Sequence, residues 1–266
     1  MSEKKPGALL PSSTILLVRD GVAGPEVFMV KRHHAIDFAS GAMVFPGGKL
    51  APGDSDPVLQ GRHARPGRFR PELTSFAFAA IREAFEESGL LLARAKGESR
   101  LLSAERAESL ASWREPLNCG DRTLREMAEA ESLDYALDTM VPFAHWITPE
   151  PMPKRFDTWF FLARAPEGQI GLHDGSESVE SEWIGAQQAL DEWEAQRRVI
   201  VFATRMQLVK LARAKSVDEA LANAEREPIV DVMPVLDKTS FSEPHLRIPA
   251  EAGYGVTEVP LSRVGK

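Results

Sequence analysis

The order of patterns along the chain predicts a mixed α/β domain. Two β-rich runs joined by a Gly/Pro turn come first, a long helix with an apolar stripe follows, and a charged helical stretch then gives way to further β runs and closing helices. With 43% apolar and 27% charged residues, the 266-residue chain has the material for a buried core and an ordinary soluble composition. No linker-like stretch, fixed-period repeat or low-complexity block divides it, so residues 1–266 read as one domain.

Residues 13–19 and 26–32 are rich in β-formers, and Asp20-Gly21-Val22-Ala23-Gly24-Pro25 between them is hairpin punctuation. A short apolar run over 42–45 stops at Pro46-Gly47-Gly48, and the Gly-, Pro- and Arg-rich stretch 49–71 reads as loop. The stripe Phe76, Ala79, Ala80, Ala84, Leu91 predicts a helix over 72–95. Two charged helical patterns, 103–114 and 121–132, form a helical insertion over about 95–134, with Asp121 as the cap of the second. Residues 141–147, 158–165 and 180–184 read as strands. A helical C-terminal segment spans about 186–226, in three pieces over 186–194, 199–214 and 216–225. The last forty residues hold Pro-punctuated short strands such as 229–236, then a loose tail.

The net charge of −7 (32 basic against 39 acidic residues) argues against a duplex nucleic acid partner. A single cysteine, Cys119, excludes an intrachain disulfide framework and any multi-cysteine zinc module. No run approaches the ~18 apolar residues of a membrane span, and no apolar segment follows the charged N-terminus, so no membrane association is expected and a cytoplasmic location is the default. His33 and His34 are adjacent, which turns them apart on a strand, so they do not read as a metal pair. The aromatic run Phe156, Trp159, Phe160, Phe161 reads as core.

Chemistry concentrates in Arg82-Glu83-Ala84-Phe85-Glu86-Glu87-Ser88-Gly89-Leu90. On a helix Glu83, Glu86 and Glu87 stand at i, i+3 and i+4 and share a face. Three carboxylates that close repel one another, and a hard divalent cation such as Mg²⁺ or Mn²⁺ relieves the repulsion. Arg82 is placed to orient one of them through a bidentate pair. A glutamate-rich helix face is more often merely solvated, so the triplet needs its context.

That context is Phe45-Pro46-Gly47-Gly48, followed after five residues by Asp54. Together with residues 82–90 it resembles the Nudix box, with Asp54 standing where that family has Glu. Twenty-seven residues separate Asp54 from Arg82 where the family has seven, so the box is interrupted by an insertion over about 55–75. Trp146-Ile147-Thr148-Pro149 and Pro153-Lys154-Arg155-Phe156-Asp157-Thr158 resemble the long-insert branch of the family, which includes the peroxisomal acyl-coenzyme A diphosphatase.

The resemblance implies a Nudix-type α/β/α sandwich with a mixed sheet, and a hydrolase that cleaves the diphosphate of a nucleoside diphosphate linked to another moiety. It implies Mg²⁺ or Mn²⁺ held by Glu83, Glu86 and Glu87 with the Gly48 carbonyl, and Arg82 among the catalytic residues. It places a general base in the acidic loop before Trp183, with Glu177 first and Glu180 second. Lys49, Lys154 and Arg155 are the candidate phosphate-binding cations, and Arg62, Arg65, Arg68 and Arg70 of the insertion form a candidate basic flap for the 3′-phosphate of coenzyme A. The substrate expected is coenzyme A or acyl-CoA; the alternatives are ADP-ribose, NADH or a nucleotide sugar, or a Nudix-fold sensor that binds a nucleotide without cleaving it. A homodimer is expected by the same resemblance.

Overall fold

The computed structural model describes residues 7–32, 41–63, 65–150, 152–175, 178–240 and 242–264. Strands β1 (Leu9–Gly21) and β2 (Gly24–Arg32) form the predicted hairpin, and β3 (Met43–Val44) and β4 (Gly47–Lys49) follow. Helix α1 is Thr74–Ser88. Strand β5 (Ala93–Ala95), helices α2 (Ala104–Ser109), α3 (Arg114–Asn118) and α4 (Leu124–Glu131) and strand β6 (Leu133–Tyr135) come next. Then come β7 (Met140–Ile147), β8 (Arg155–Arg164), β9 (Ser178–Gly185), α5 (Ala186–Glu194), α6 (Phe202–Leu211) and α7 (Val217–Arg226). The chain closes on β10 (Asp231–Val232), β11 (Val235–Asp237), β12 (His245–Arg247) and β13 (Glu258–Pro260). Among the described residues no helix is long and apolar enough to cross a membrane.

The main sheet runs β10-β7-β8-β1-β2-β3, with β4 also on β1 and β9 also on β2. It is mixed: β1 runs parallel to β8 and antiparallel to β2 and β4. The length of β1 lets its early residues Ser12–Thr14 pair with β4 while Val18–Gly21 pair with β2. Both faces are covered. Alternate residues of β1 divide between two cores, Ile15 and Leu17 toward α1, Leu16 and Val18 toward α5–α7. Strand β8 divides the same way, with Trp159, Phe161 and Ala163 on the α1 face and Phe160 and Leu162 on the other. The expected α/β/α sandwich with a mixed sheet is what the chain forms, because strands with no solvent face must be apolar on both sides.

Local chemistry explains where the expected elements shift. The predicted helix over 72–95 stops at Ser88, because Gly89 takes a left-handed conformation (φ 74°) and caps it; residues 93–95 become β5. Thr123, not Asp121, caps α4, since Thr123 and Glu126 form a reciprocal capping box. The insertion in the box is pinned rather than loose. It makes short 3₁₀ turns at Pro52–Ser55 and Leu59–Gly61, and Leu59 is fully buried in the α1-side core. The tail is also not loose: β11, β12 and β13 form a small sheet, and Tyr254, Ile248 and Val259 pack into the α5–α7 core.

Candidate active site

Alanines 77, 79, 80 and 84 keep α1 slim enough to lie close on the sheet, and the whole stretch from Ala77 to Ser88 is buried. Its carboxylates are no exception: Glu83, Glu86 and Glu87 are 8%, 4% and 8% exposed. Facing them is β4, held on β1 by the pairs Gly48–Ser13 and Gly47–Thr14. No side chain fits there. A Cβ on Gly48 would lie 2.4 Å from Glu83 Oε1, and one on Gly47 would lie 2.6 Å from the Ser13 carbonyl. The Gly47 N–H donates to Glu87 Oε2 at 3.3 Å.

Arg82 sits at the centre of the cluster. Its Nε donates to Asp54 Oδ1 at 3.0 Å and its Nη2 to Asp54 Oδ2 at 3.1 Å and to the Lys49 carbonyl at 2.8 Å. Its Nη1 donates to Glu83 Oε1 at 2.8 Å and to Glu86 Oε2 at 3.0 Å. Burial works against the guanidinium's charge, but Glu83, Asp54 and Glu86 outweigh it and push its pKa up. Asp54, 1% exposed, also accepts from the Ala51 N–H at 2.8 Å. The aspartate at the box position is therefore the anchor of the arginine.

Four carboxylates (Asp54, Glu83, Glu86, Glu87) crowd around one guanidinium in a buried place. The consequence shows at Glu86. Burial raises its pKa, Arg82 lowers it, Glu83 raises it again, and the outcome is about 8. Closely set carboxylate oxygens beside the Gly47-Gly48 backbone suit a hard divalent cation. Among the described residues no three acidic, histidine or cysteine side chains converge as a finished ligand cage. Arg82 takes the oxygens of Glu83 and Glu86 that an ion would share, so the residues fit a cation by charge and donor type, with the glutamates turning from arginine to ion.

Lys49 follows Gly48 on β4, its side chain exposed. Lys154 and Arg155 stand farther off: Arg155 pairs with Leu9, three positions along the β1–β8 ladder from the Ser12–Thr158 pair beside Lys49, about 10 Å away. Its Nε donates to the Thr148 carbonyl at 3.1 Å. Glu177 lies outside the described residues, as do His33 and His34. Glu180 is in β9, where alternation turns it to the face opposite Trp183, and its Oε2 accepts from Lys31 at 3.1 Å.

Two features have no signal in the sequence. Arg114 of the helical insertion donates from Nε to the Glu86 carbonyl and from Nη2 to the Leu172 carbonyl, each at 3.0 Å. It thereby ties the end of α1 to the segment leading into the acidic loop, where Leu172 N–H also donates to the Ser88 carbonyl at 2.8 Å. His145 stacks on Trp159, ring centroids 4.2 Å apart, with Asp231 2.7 Å from Nδ1 and Asp157 against Nε2. Neither an arginine in a charged helix nor a histidine in an apolar strand stands out before the fold brings its partners.

The profile of the NUDT19 Nudix domain matches residues 51–213, more than half of the chain. A Caenorhabditis elegans protein described as nudix hydrolase 7 is 26% identical over 201 residues, 73% of this chain and 58% of its own length. The acyl-coenzyme A diphosphatase NUDT19 of Xenopus laevis is 23% identical over 253 residues, 79% of this chain and 67% of its own. The chain thus spans about three fifths to two thirds of these relatives. The crystal structure of a NUDIX hydrolase from Alicyclobacillus acidocaldarius superposes with a TM-score of 0.70 at 25% identity, covering 81% of this chain and 96% of that one. With a profile match over more than half of the chain, running through the buried Arg-Glu-x-x-Glu-Glu helix, the chain belongs to the NUDT19 Nudix domain family.

Proposed function

We propose that this Nudix enzyme is a Mg²⁺- or Mn²⁺-dependent diphosphatase that cleaves coenzyme A or acyl-CoA to 3′,5′-ADP and (acyl-)4′-phosphopantetheine. The observation that carries the reaction class is the buried cluster of Glu83, Glu86 and Glu87 around Arg82 beside Gly47-Gly48. Nudix hydrolases generally use divalent metals, in keeping with that cluster. The name of the frog relative supports the substrate.

In this reading Glu83, Glu86, Glu87 and the Gly48 carbonyl hold the ion. A bound divalent cation neutralises the diphosphate oxygens and lowers the pKa of an attacking water. Arg82 keeps the glutamates apart and aimed, and Asp54 keeps Arg82 in place. Glu177, the general base that the family resemblance implies, would take the water proton as its oxygen bonds to phosphorus and the bridging P–O bond breaks. Lys49, with Lys154 and Arg155 farther along the sheet, meets the phosphate charge, and most of the rate comes from such positioning.

The test is a mass-spectrometric screen of coenzyme A, acetyl-CoA, ADP-ribose, NADH and a nucleotide sugar with Mg²⁺ or Mn²⁺, run beside a Glu86→Gln/Glu87→Gln double variant. Release of 3′,5′-ADP and 4′-phosphopantetheine by the wild type alone supports both the reaction and the substrate. Cleavage of a different diphosphate overturns the substrate. Nucleotide binding with no cleavage makes the chain a sensor instead.

A further inference from the structure

On the sheet face that α1 covers, strand β1 carries a serine ahead of Ile15 and Leu17. Ser13 is fully buried, and its Oγ is without a hydrogen-bond partner among the described residues. Its neighbour Ser12, on the opposite face, has one in the Leu10 carbonyl at 3.2 Å. A hydroxyl shut away from water and bonded to nothing lowers stability, and an alanine would fill the same place without that cost.

Its surroundings put that hydroxyl at the carboxylate cluster. In the sheet Ser13 lies between Trp159 of β8 and Gly48 of β4. Helix α1 passes over the same residues: Phe76 packs edge-on to Trp159 at 6.4 Å, and Glu83, about two turns on, lies against Gly48. Residues paired directly across antiparallel strands turn to one face, with Cβ atoms about 4.5–5.5 Å apart. A Cβ on Gly48 would be 2.4 Å from Glu83 Oε1 and 2.7 Å from Oε2. The Glu83 carboxylate is therefore one side-chain rotation from Ser13, with no side chain on Gly48 to stand between them.

Glu83 Oε1 accepts from Arg82 Nη1 at 2.8 Å. Turning to an ion gives up that donor, and a buried carboxylate oxygen then needs another. The insertion's arginines have other partners. Arg62 lies 3.9 Å from Glu129, Arg68 lies 2.9 Å from Glu225, and Arg70 lies over the Trp159 ring at 5.7 Å, where it and Arg68 line a cavity of about 760 Å³. They do not act as one flap. We infer that Ser13 is a positioning residue of the metal site: its hydroxyl donates to Glu83 when that carboxylate leaves Arg82 for a divalent cation. Resting on the metal-dependent reading above, this gives Glu83 two hydrogen-bonding stations, Arg82 without the ion and Ser13 with it.

Removing a hydrogen-bond partner of a metal ligand typically weakens metal binding tenfold or more. Ser13→Ala should therefore bind Mn²⁺ about tenfold more weakly than the wild type in isothermal titration calorimetry. Its urea midpoint in chelator should stay at or above the wild-type value, because the orphaned hydroxyl is gone. Ser12→Ala, on the far face of the same strand, should leave Mn²⁺ affinity unchanged. Wild-type affinity in Ser13→Ala overturns the inference. So does a lowered midpoint in chelator, which makes the hydroxyl part of the metal-free fold, or an equal loss of affinity in Ser12→Ala. A wild type that binds Mn²⁺ but cleaves no diphosphate overturns only the diphosphatase reading, and the same titration still decides Ser13. A wild type that binds neither Mg²⁺ nor Mn²⁺ overturns both.

Discussion

Asp54 and Arg82 stand 28 positions apart and meet in a buried bidentate ion pair, Nε to Oδ1 at 3.0 Å and Nη2 to Oδ2 at 3.1 Å. The residues between them leave and return without separating the two halves of the box. A fork-to-carboxylate contact of this kind accepts little variation in geometry.

Removing one side of that contact strands the other. Arg82→Ala leaves Asp54, Glu83 and Glu86 buried without their cation and should lower stability by about 3–5 kcal/mol, measured by urea unfolding in the presence of a chelator. Added Mg²⁺ should recover more stability in this variant than in the wild type, since the ion then has no guanidinium to compete with. A loss below about 1 kcal/mol would contradict the central place given to Arg82.

Glu86 should make the metal-free chain pH-sensitive. Burial holds its folded pKa up at about 8, above the ordinary 4.5 that the unfolded chain restores. Between those values the folded chain binds the proton more tightly, so this group favours folding most at low pH and its contribution is lost as pH rises from about 4.5 through 8. Thermal unfolding across that window in chelator should show the decline, and Glu86→Gln should flatten it. Mg²⁺ or Mn²⁺ should bind more tightly as pH rises toward 8, because ion and proton compete for one carboxylate; isothermal titration at pH 6 and 8 measures this.

Gly48→Ala puts a methyl group where Glu83 Oε1 now lies, 2.4 Å from the new carbon. The glutamate must turn away, and a displacement of that size in a positioning site costs on the order of 100-fold in rate. Steady-state kinetics should show the loss in kcat while the melting temperature changes little, because the methyl group displaces a side-chain end rather than backbone. Gly47→Ala should do the reverse damage, since its methyl would strike the Ser13 carbonyl and the backbone of β1.

Arg114→Ala removes both carbonyl contacts that join the end of α1 to residue 172. Its expected signature is a fall in kcat of about tenfold with a smaller change in KM, and partial recovery in Arg114→Lys, which can keep one contact. Equal loss in both variants with a collapsed melting temperature would reduce Arg114 to a packing residue.

Much of this was legible in the chain. The strand runs near 13–19, 26–32 and 158–165 were readable because strands buried on both faces are continuous apolar runs. Helix α5 coincides with the helical piece read over 186–194. The carboxylate face was readable because i, i+3, i+4 spacing is local. Readings failed where a local signal had a rival. Leu90, Leu91 and Leu92 extend the helical stripe, but Gly89 at φ 74° ends the helix before them. Pro-rich punctuation suggested a loose tail, while Tyr254 finds Trp146 Nε1 at 2.8 Å from 108 positions away.

The sequence by itself determined that Glu83, Glu86 and Glu87 share one face, because i, i+3, i+4 spacing on a single helix is local. Only the tertiary structure decided what surrounds them. That Asp54 anchors Arg82, that Arg114 clasps the end of α1, that Glu180 turns away, and that Arg68 and Arg70 share a cavity while Arg62 does not, are all contacts between segments tens of residues apart. Their partners are chosen by sheet order and helix packing, and neither is encoded in the local spacing of the residues that meet.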